Sequence, residues 1–265
     1  MTELYDVLID TARFAGITYS GITTSTPSDD ILESLVDTSR HEPDDYYNNG
    51  TLFIRSGENK RKTRRITKYT NASGIIMFAP QVSDAIVPGV YYSATNANRE
   101  HLVQAINQAL LQMGPYTEIY EELQVGPNQN EYDLPSHVRN LRRIMVSHGS
   151  GNNINYTANL TWQEINGKLI FLSPETSTGG DKIRIYYNTD HSEVNADDDL
   201  INDNYDRQRL AWTATYMYLL NRMQYSGNED ERETILLQNA QSRMDALNNL
   251  RPVRTLNRDP ILGRW

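Results

Sequence analysis

Residues able to do chemistry are few in this chain of 265 residues, and they lie far apart. The segment GSGNNI at 149–154 imitates the start of a dinucleotide-binding fingerprint, where glycines let backbone approach a pyrophosphate; the third glycine is missing and no helical pattern follows. It reads as a hairpin loop. His41, His101, His137, His148 and His191 fall in separate elements with no i, i+4 pair, the spacing that would put two ring nitrogens on one metal. They read as scattered surface groups. Asp197, Asp198, Asp199 and Asp203 offer oxygens to a hard cation but lack the glycine and distal glutamate of an EF-hand loop. They read as a solvated loop whose negative charge favours the N-terminus of the following helix. The chain has no cysteine, which removes thiolate nucleophiles, thiolate metal sites and disulfides. No metal or cofactor is expected, although two acids distant in sequence can still meet as an acid–base pair.

Two cationic segments carry more information. In RSGENKRKTRRITK, Arg55, Lys60, Arg61, Lys62, Arg64, Arg65 and Lys68 stand against Glu58 alone. Alternate residues of a strand share a face, so part of this charge projects together. Lys60, Arg61, Lys62, Arg64 and Arg65 are candidate contacts to DNA phosphates or to an acidic protein surface, weakening with salt. An edge hairpin guarded against aggregation by its cations explains the same residues equally well. The second segment is the end of the chain, LRPVRTLNRDPILGRW, where Pro252 and Pro260 oppose helix and favour extended backbone. Arg251, Arg254, Leu256, Arg258, Ile261, Leu262, Arg264 and Trp265 combine arginine with large apolar groups, as interface hot spots do. Burying Trp265 or Leu262 in a partner would contribute on the order of 2 kcal/mol each. A frayed terminus folding back on its own helices is the competing reading.

Composition narrows the partners. The net charge of -9 opposes a surface that grips nucleic acid or an anionic membrane over its whole extent, leaving only local contacts. A hydrophobic fraction of 38% is low, and 17 tyrosines against 4 phenylalanines favour aromatic groups that face both water and a partner. No apolar run approaches about 18 residues, and the first residues carry acids unsuited to a signal peptide, so no membrane contact and a cytoplasmic origin are expected.

Positioning elements follow from hydrophobic period. Leu4, Tyr5, Leu8, Ala12 and Ala15 predict a first helix, with Thr2 as N-cap and Gly16 as stop. Between STPSDD and residue 97, the turn signals NNG and NASG separate TLFIRS, RRITKY, GIIMFAP and GVYYSAT, an antiparallel β module. Leu102, Val103, Ile106, Ala109, Leu110 and Met113 predict a second helix opened by Asn98. Hairpin-like strands fill about 123–190. Two further helices follow, the first of them apolar on most sides and central, the second opened by a capping box at Asn228 and Glu231. The expected fold class is α+β: a helical bundle core with an inserted antiparallel β module, a second hairpin-rich sheet and an extended C-terminal arm. Its parts are the N-terminal helix (1–21), the module (22–97), the helical core with its hairpin sheet (98–250) and the arm (251–265).

The segment DDYYNNGTLFIRSGENKRKTRRITKYTNASGIIMFAP resembles a β module of phage virion proteins, in which a Tyr-Tyr-Asn-Gly turn leads into strands and Arg-Arg-Ile-Thr precedes a Tyr-Thr turn. NREHLVQAINQAL, NEYDLPSHVRNLRRIMV and TWQEINGKLIFLS resemble the succeeding portion of head-to-tail adaptor, or connector, proteins in the neck of tailed bacteriophages. The likeness covers most of residues 22–222 and lies in pattern, without a catalytic signature. It implies a structural, non-enzymatic protein that forms a homo-oligomeric ring, usually dodecameric, around the DNA channel, assembled in the host cytoplasm and residing in the virion. The implied partners are the portal protein, reached by a C-terminal arm falling here on Arg251 to Trp265, the next neck or tail protein, and transiently the genomic DNA. A tail-tip, baseplate or decorating protein with the same module, and a virion glycan hydrolase with distant paired carboxylates, are the alternatives.

Overall fold

The computed structural model of the chain describes residues 2–28, 31–148, 154–172, 181–226 and 231–250. In chain order the elements are β1 (Thr2–Glu3), α1 (Leu4–Phe14), β2 (Thr18–Ile22), β3 (Ser34–Val36), β4 (Thr51–Ile54), β5 (Lys62–Thr70), β6 (Ile75–Ala79), β7 (Tyr91–Thr95) and α2 (Arg99–Met113). There follow β8 (Tyr116–Gln124), β9 (Glu131–Asp133), β10 (Leu141–His148), β11 (Asn155–Asn159), β12 (Trp162–Ile165), β13 (Lys168–Phe171), β14 (Lys182–Thr189), β15 (Leu200–Ile201), α3 (Arg207–Ser226) and α4 (Glu231–Leu250). The described residues divide into two units, one from 2–113 and 192–250, the other from 114–191.

The first unit joins a six-stranded antiparallel sheet, in the order β2-β7-β4-β5-β6-β3, to the four helices. Just beyond β2, Ser25 bridges Val36 and the Thr24 N–H donates to the Val36 carbonyl at 2.8 Å, so the sheet's two edges meet and the sheet closes into a small barrel. Closure removes the open edges that invite other chains to pair. Period-2 alternation sends Leu52 and Ile54 of β4 and Tyr92 and Ala94 of β7 inward, where they pack with Leu35, Ile66, Tyr69, Ile76 and Phe78. The other face of β4 is covered too: Phe53 meets the Tyr5 ring edge-on at 6.0 Å, and the Tyr5 hydroxyl donates to the Ile54 carbonyl at 2.8 Å. The chain here approaches itself closely: a Cβ on Gly74, at φ +65°, would stand 2.4 Å from the Asp37 carbonyl oxygen. Among the helices, α3 packs against α1, α2 and α4, and α1 also meets α2. Leu210, Ala211, Ala214, Thr215, Tyr218 and Leu219 of α3 are buried, as expected of a central helix.

The second unit is a β-sandwich. Its four-stranded sheet runs β11-β10-β14-β8 and its three-stranded sheet runs β12-β13-β9. Ile144, Val146, Ile183 and Ile185 of the larger sheet share one core with Tyr132, Leu169 and Phe171 of the smaller.

A helical bundle core is thus the wrong description. The structure is β-dominated, 34% strand against 28% helix among the described residues, with several antiparallel sheets, and the two buried clusters described above lie within β structure. The physical reason is that helices announce themselves by long continuous stripes, whereas these strands are short and several hide in polar sequence. β8 bears four charged or amide groups in nine residues, and two of its positions facing the core are Glu118 and Tyr120 rather than aliphatics. Glu118 is accommodated because the Tyr116 and Tyr187 hydroxyls both donate to it, at 2.8 and 2.7 Å.

Candidate functional site

The cationic hairpin was the sharpest surface candidate in the sequence, and the register of β5 decides where its charges go. Thr63 and Arg65 pair with Phe53 and Thr51, on the helix-facing side, while Lys62 and Arg64 pair with Ile54 and Leu52, whose side chains point into the barrel. The cations are therefore split between two faces. Arg61, at φ +63°, forms ion pairs with Glu3 at 2.9 Å and with Asp6. Arg65 donates to the Asn49 side-chain oxygen at 2.5 Å. Arg64 donates to the Thr63 carbonyl at 2.7 Å, and burial pulls its guanidinium below its ordinary pKa, opposed by the charge of Asp197. Among the described residues, Lys60 and Lys62 enter no ion pair and remain available; Lys60 is exposed and Lys62 half-buried. Three of the five candidates thus engage groups of their own unit, Lys62 stands on the barrel-facing side of β5, and Lys60 is left exposed.

The acidic loop does something its sequence does not announce. The Asp197 carboxylate accepts from the Thr63 N–H at 2.7 Å and from its hydroxyl at 2.8 Å, while Arg99 at the start of α2 donates to Asp197 at 2.8 Å and to the Thr63 hydroxyl at 2.9 Å. One carboxylate thereby ties β5, α2 and the loop together. The carbonyls of Asp199 and Asp197 also accept from the Leu4 and Tyr5 N–H groups at 2.8 and 3.0 Å. The loop caps α1, the helix at the other end of the chain, and Glu3 rather than Thr2 occupies the N-cap without a side-chain bond. The helix that follows the loop is served by Asp206, whose carboxylate accepts from the Arg209 N–H at 2.9 Å. Asp199 is held below the usual carboxylate range by the Asn195 and Ala196 N–H groups, with burial opposing and Arg99 assisting.

A second polar cluster locks the barrel where its edges meet. Asp37, just after β3, accepts from the Tyr92 hydroxyl at 2.7 Å and from the Ser39 hydroxyl at 2.5 Å, and Arg40 donates to Tyr92 at 2.9 Å. Gly21 of β2 is required beneath it, because a Cβ there would lie 2.5 Å from Asp37 and 2.7 Å from Arg40. A groove of about 450 Å³ lined by Ser20, Ser39, Arg40, His41 and Glu42 opens beside this lock. Burial raises Glu42 of the groove and Asp37 of the lock, but contacts outweigh it: the Ser39 and Tyr92 hydrogen bonds with Arg40 nearby for Asp37, and the Arg40 guanidinium and the His41 N–H for Glu42. Both end below the usual range.

No protein-family model and no curated protein matches this chain. What the chain does is therefore read from its surfaces.

The other chemical candidates disperse. His148 meets Thr157 at 2.7 Å, His137 lies edge-on between Tyr120 and Tyr187, and no group of acids and histidines able to hold a metal occurs among the described residues. GSGNNI lies mostly, and the arm Arg251, Arg254, Leu256, Arg258, Ile261, Leu262, Arg264 and Trp265 wholly, outside the described residues, as does the capping residue Asn228. No helix among the described residues is long and apolar enough to cross a membrane. Sequence reading missed the Thr63–Asp197–Arg99 tie because its members lie up to 134 residues apart. The one local hint was an arginine opening an otherwise ordinary amphipathic helix.

Proposed function

We propose that this chain is a structural protein of a tailed-phage virion, a head-to-tail adaptor that assembles as a ring under the portal and lines the DNA channel. The observation that carries the reading is how the segment bearing the resemblance folds. Residues 44–80 supply three of the six strands of a closed barrel, filled by Tyr47, Tyr69, Ile76 and Phe78, and its polar rim is bonded to α1, α2 and the acidic loop. Such a unit suits a rigid building block. Of its arginines, Arg61 ties the barrel to α1 while Arg64 and Arg65 bond within the barrel, which speaks for a structural role of the hairpin over a DNA grip and leaves Lys60 for passing contacts. An overall charge of -9 also suits a channel wall along which DNA slides.

In this reading residues 251–265 are the arm that reaches the portal, with Trp265, Leu262 and the arginines as its anchors. Mixing the protein with portal rings and sedimenting the mixture tests both parts. The intact chain should co-sediment, and a chain truncated after Leu250 should keep its circular dichroism and denaturation midpoint while losing most co-sedimentation. Equal binding by the truncated chain refutes the arm. Absence of binding by the intact chain refutes the adaptor.

A further inference from the structure

The two outward faces of the β-sandwich differ in charge. On the four-stranded sheet, outward positions of β10 and β14 carry Arg143, Lys182, Arg184 and Tyr186, opposite the inward Ile144, Ile183 and Ile185. Tyr156 of β11 and Ile119 of β8 complete the surface, and Ile119 is 54% exposed. Arg184 lies 3.8 Å over the Tyr156 ring and Arg143 lies 6.0 Å over Tyr186, so the guanidiniums are spread flat across the sheet as cation–π pairs. Glu121 pairs with Arg184, which leaves Arg143 and Lys182 in excess.

On the three-stranded sheet the outward positions are the complement. Glu131 and Asp133 of β9 stand there with Lys168, which reaches both at 3.4 and 3.7 Å and leaves the face net acidic. Ile165, 45% exposed, and Ile170 supply apolar surface between them. One β-sandwich therefore presents a basic face with Tyr, Arg and Ile on one side and an acidic face with Ile on the other. Tyrosine, arginine and large apolar groups are the residues interfaces collect.

We infer that these faces bind each other between copies: the Arg143–Lys182–Tyr186 face of one chain packs on the Glu131–Asp133–Ile165 face of a second copy. Charge complementarity selects this occupant. Repulsion between like charges disfavours the basic face against its own kind, and the acidic face that every copy carries matches it. A front-to-back contact is heterologous, and repeated through successive copies it closes a ring or runs on as a filament. The inference rests on the ring-forming reading above for closure and names the surfaces that reading leaves open.

The test is a charge swap in the full-length chain, read as mass by light scattering over a range of concentration and salt. Wild type should self-associate, less so at high salt. Arg143→Glu with Lys182→Glu should weaken association about tenfold or more, from two reversed surface pairs. Glu131→Lys with Asp133→Lys should weaken it similarly, and all four together should restore it, which mere misfolding would not do. Oligomers indifferent to both pairs overturn the contact and leave the ring standing. A wild type that stays monomeric at every concentration and on portal rings overturns both. Binding of single-stranded DNA oligonucleotides that the Arg143/Lys182 variant loses, with no change in mass, would assign the face to nucleic acid and also overturn the contact.

Discussion

The barrel unit and the sandwich use charge in opposite ways. In the first, Asp197, Arg99, Asp37 and Arg40 turn inward and bond to neighbours distant in sequence, so removing one leaves partners stranded. In the second, Arg143, Lys182, Glu131 and Asp133 stand outward over an apolar core that needs none of them. Similar residue types thus act as fasteners in one region, where loops and a helix start bring them together, and as displayed surface in the other, where strand register turns them outward.

That contrast can be broken by substitution. The largest loss belongs to the barrel core: Phe78→Ala should lower unfolding free energy by about 3–5 kcal/mol in urea. Next comes the fastener. Asp197→Ala strands the Thr63 N–H and hydroxyl and the Arg99 guanidinium, and should cost about 2–3 kcal/mol; a loss under about 0.5 kcal/mol would show that the loop merely decorates the barrel. Tyr92→Phe, which removes a hydroxyl bonded to both Asp37 and Arg40, should cost about 1–2 kcal/mol. At the bottom stand Arg143→Ala and Lys182→Ala, each expected to change stability by less than about 0.5 kcal/mol. Should either match Asp197→Ala, the distinction between the two regions fails.

Acid sharpens the same comparison. The folded pKa of Asp37 lies below its ordinary value of 3.8 because the Ser39, Tyr92 and Arg40 contacts outweigh burial. The stability it contributes is complete above that ordinary value and is lost as pH falls through the folded pKa. Asp37→Asn should therefore flatten the acid limb of a stability-against-pH curve measured by urea denaturation, while destabilising the protein near neutrality. An acid limb as steep as the wild type's would assign the acid sensitivity elsewhere.

The helices were legible where periodicity was strong, although the fold class built on them was not. The stripes of α1 and α2, the Asn98 cap, whose side chain accepts from the Glu100 N–H at 2.8 Å, and the central place of α3 follow from spacing alone. The β-dominance was not, because β2 and β8 hide in polar sequence and barrel closure depends on a single bridge, Ser25 to Val36. At the candidate site, the cationic run was visible but its division was not. Only the pairing of β5 with β4 shows that adjacent arginines face opposite ways. The acidic loop was read as serving the next helix because sequence neighbours are the only candidates a linear reading supplies; three-dimensional proximity gave it α1 instead.

Cryo-electron imaging of the protein mixed with portal rings tests the adaptor reading most directly. It should reveal a closed ring of copies stacked coaxially against one end of the portal, with the chains touching side by side. Portal rings left bare at both ends, with this protein free in the background, would contradict it.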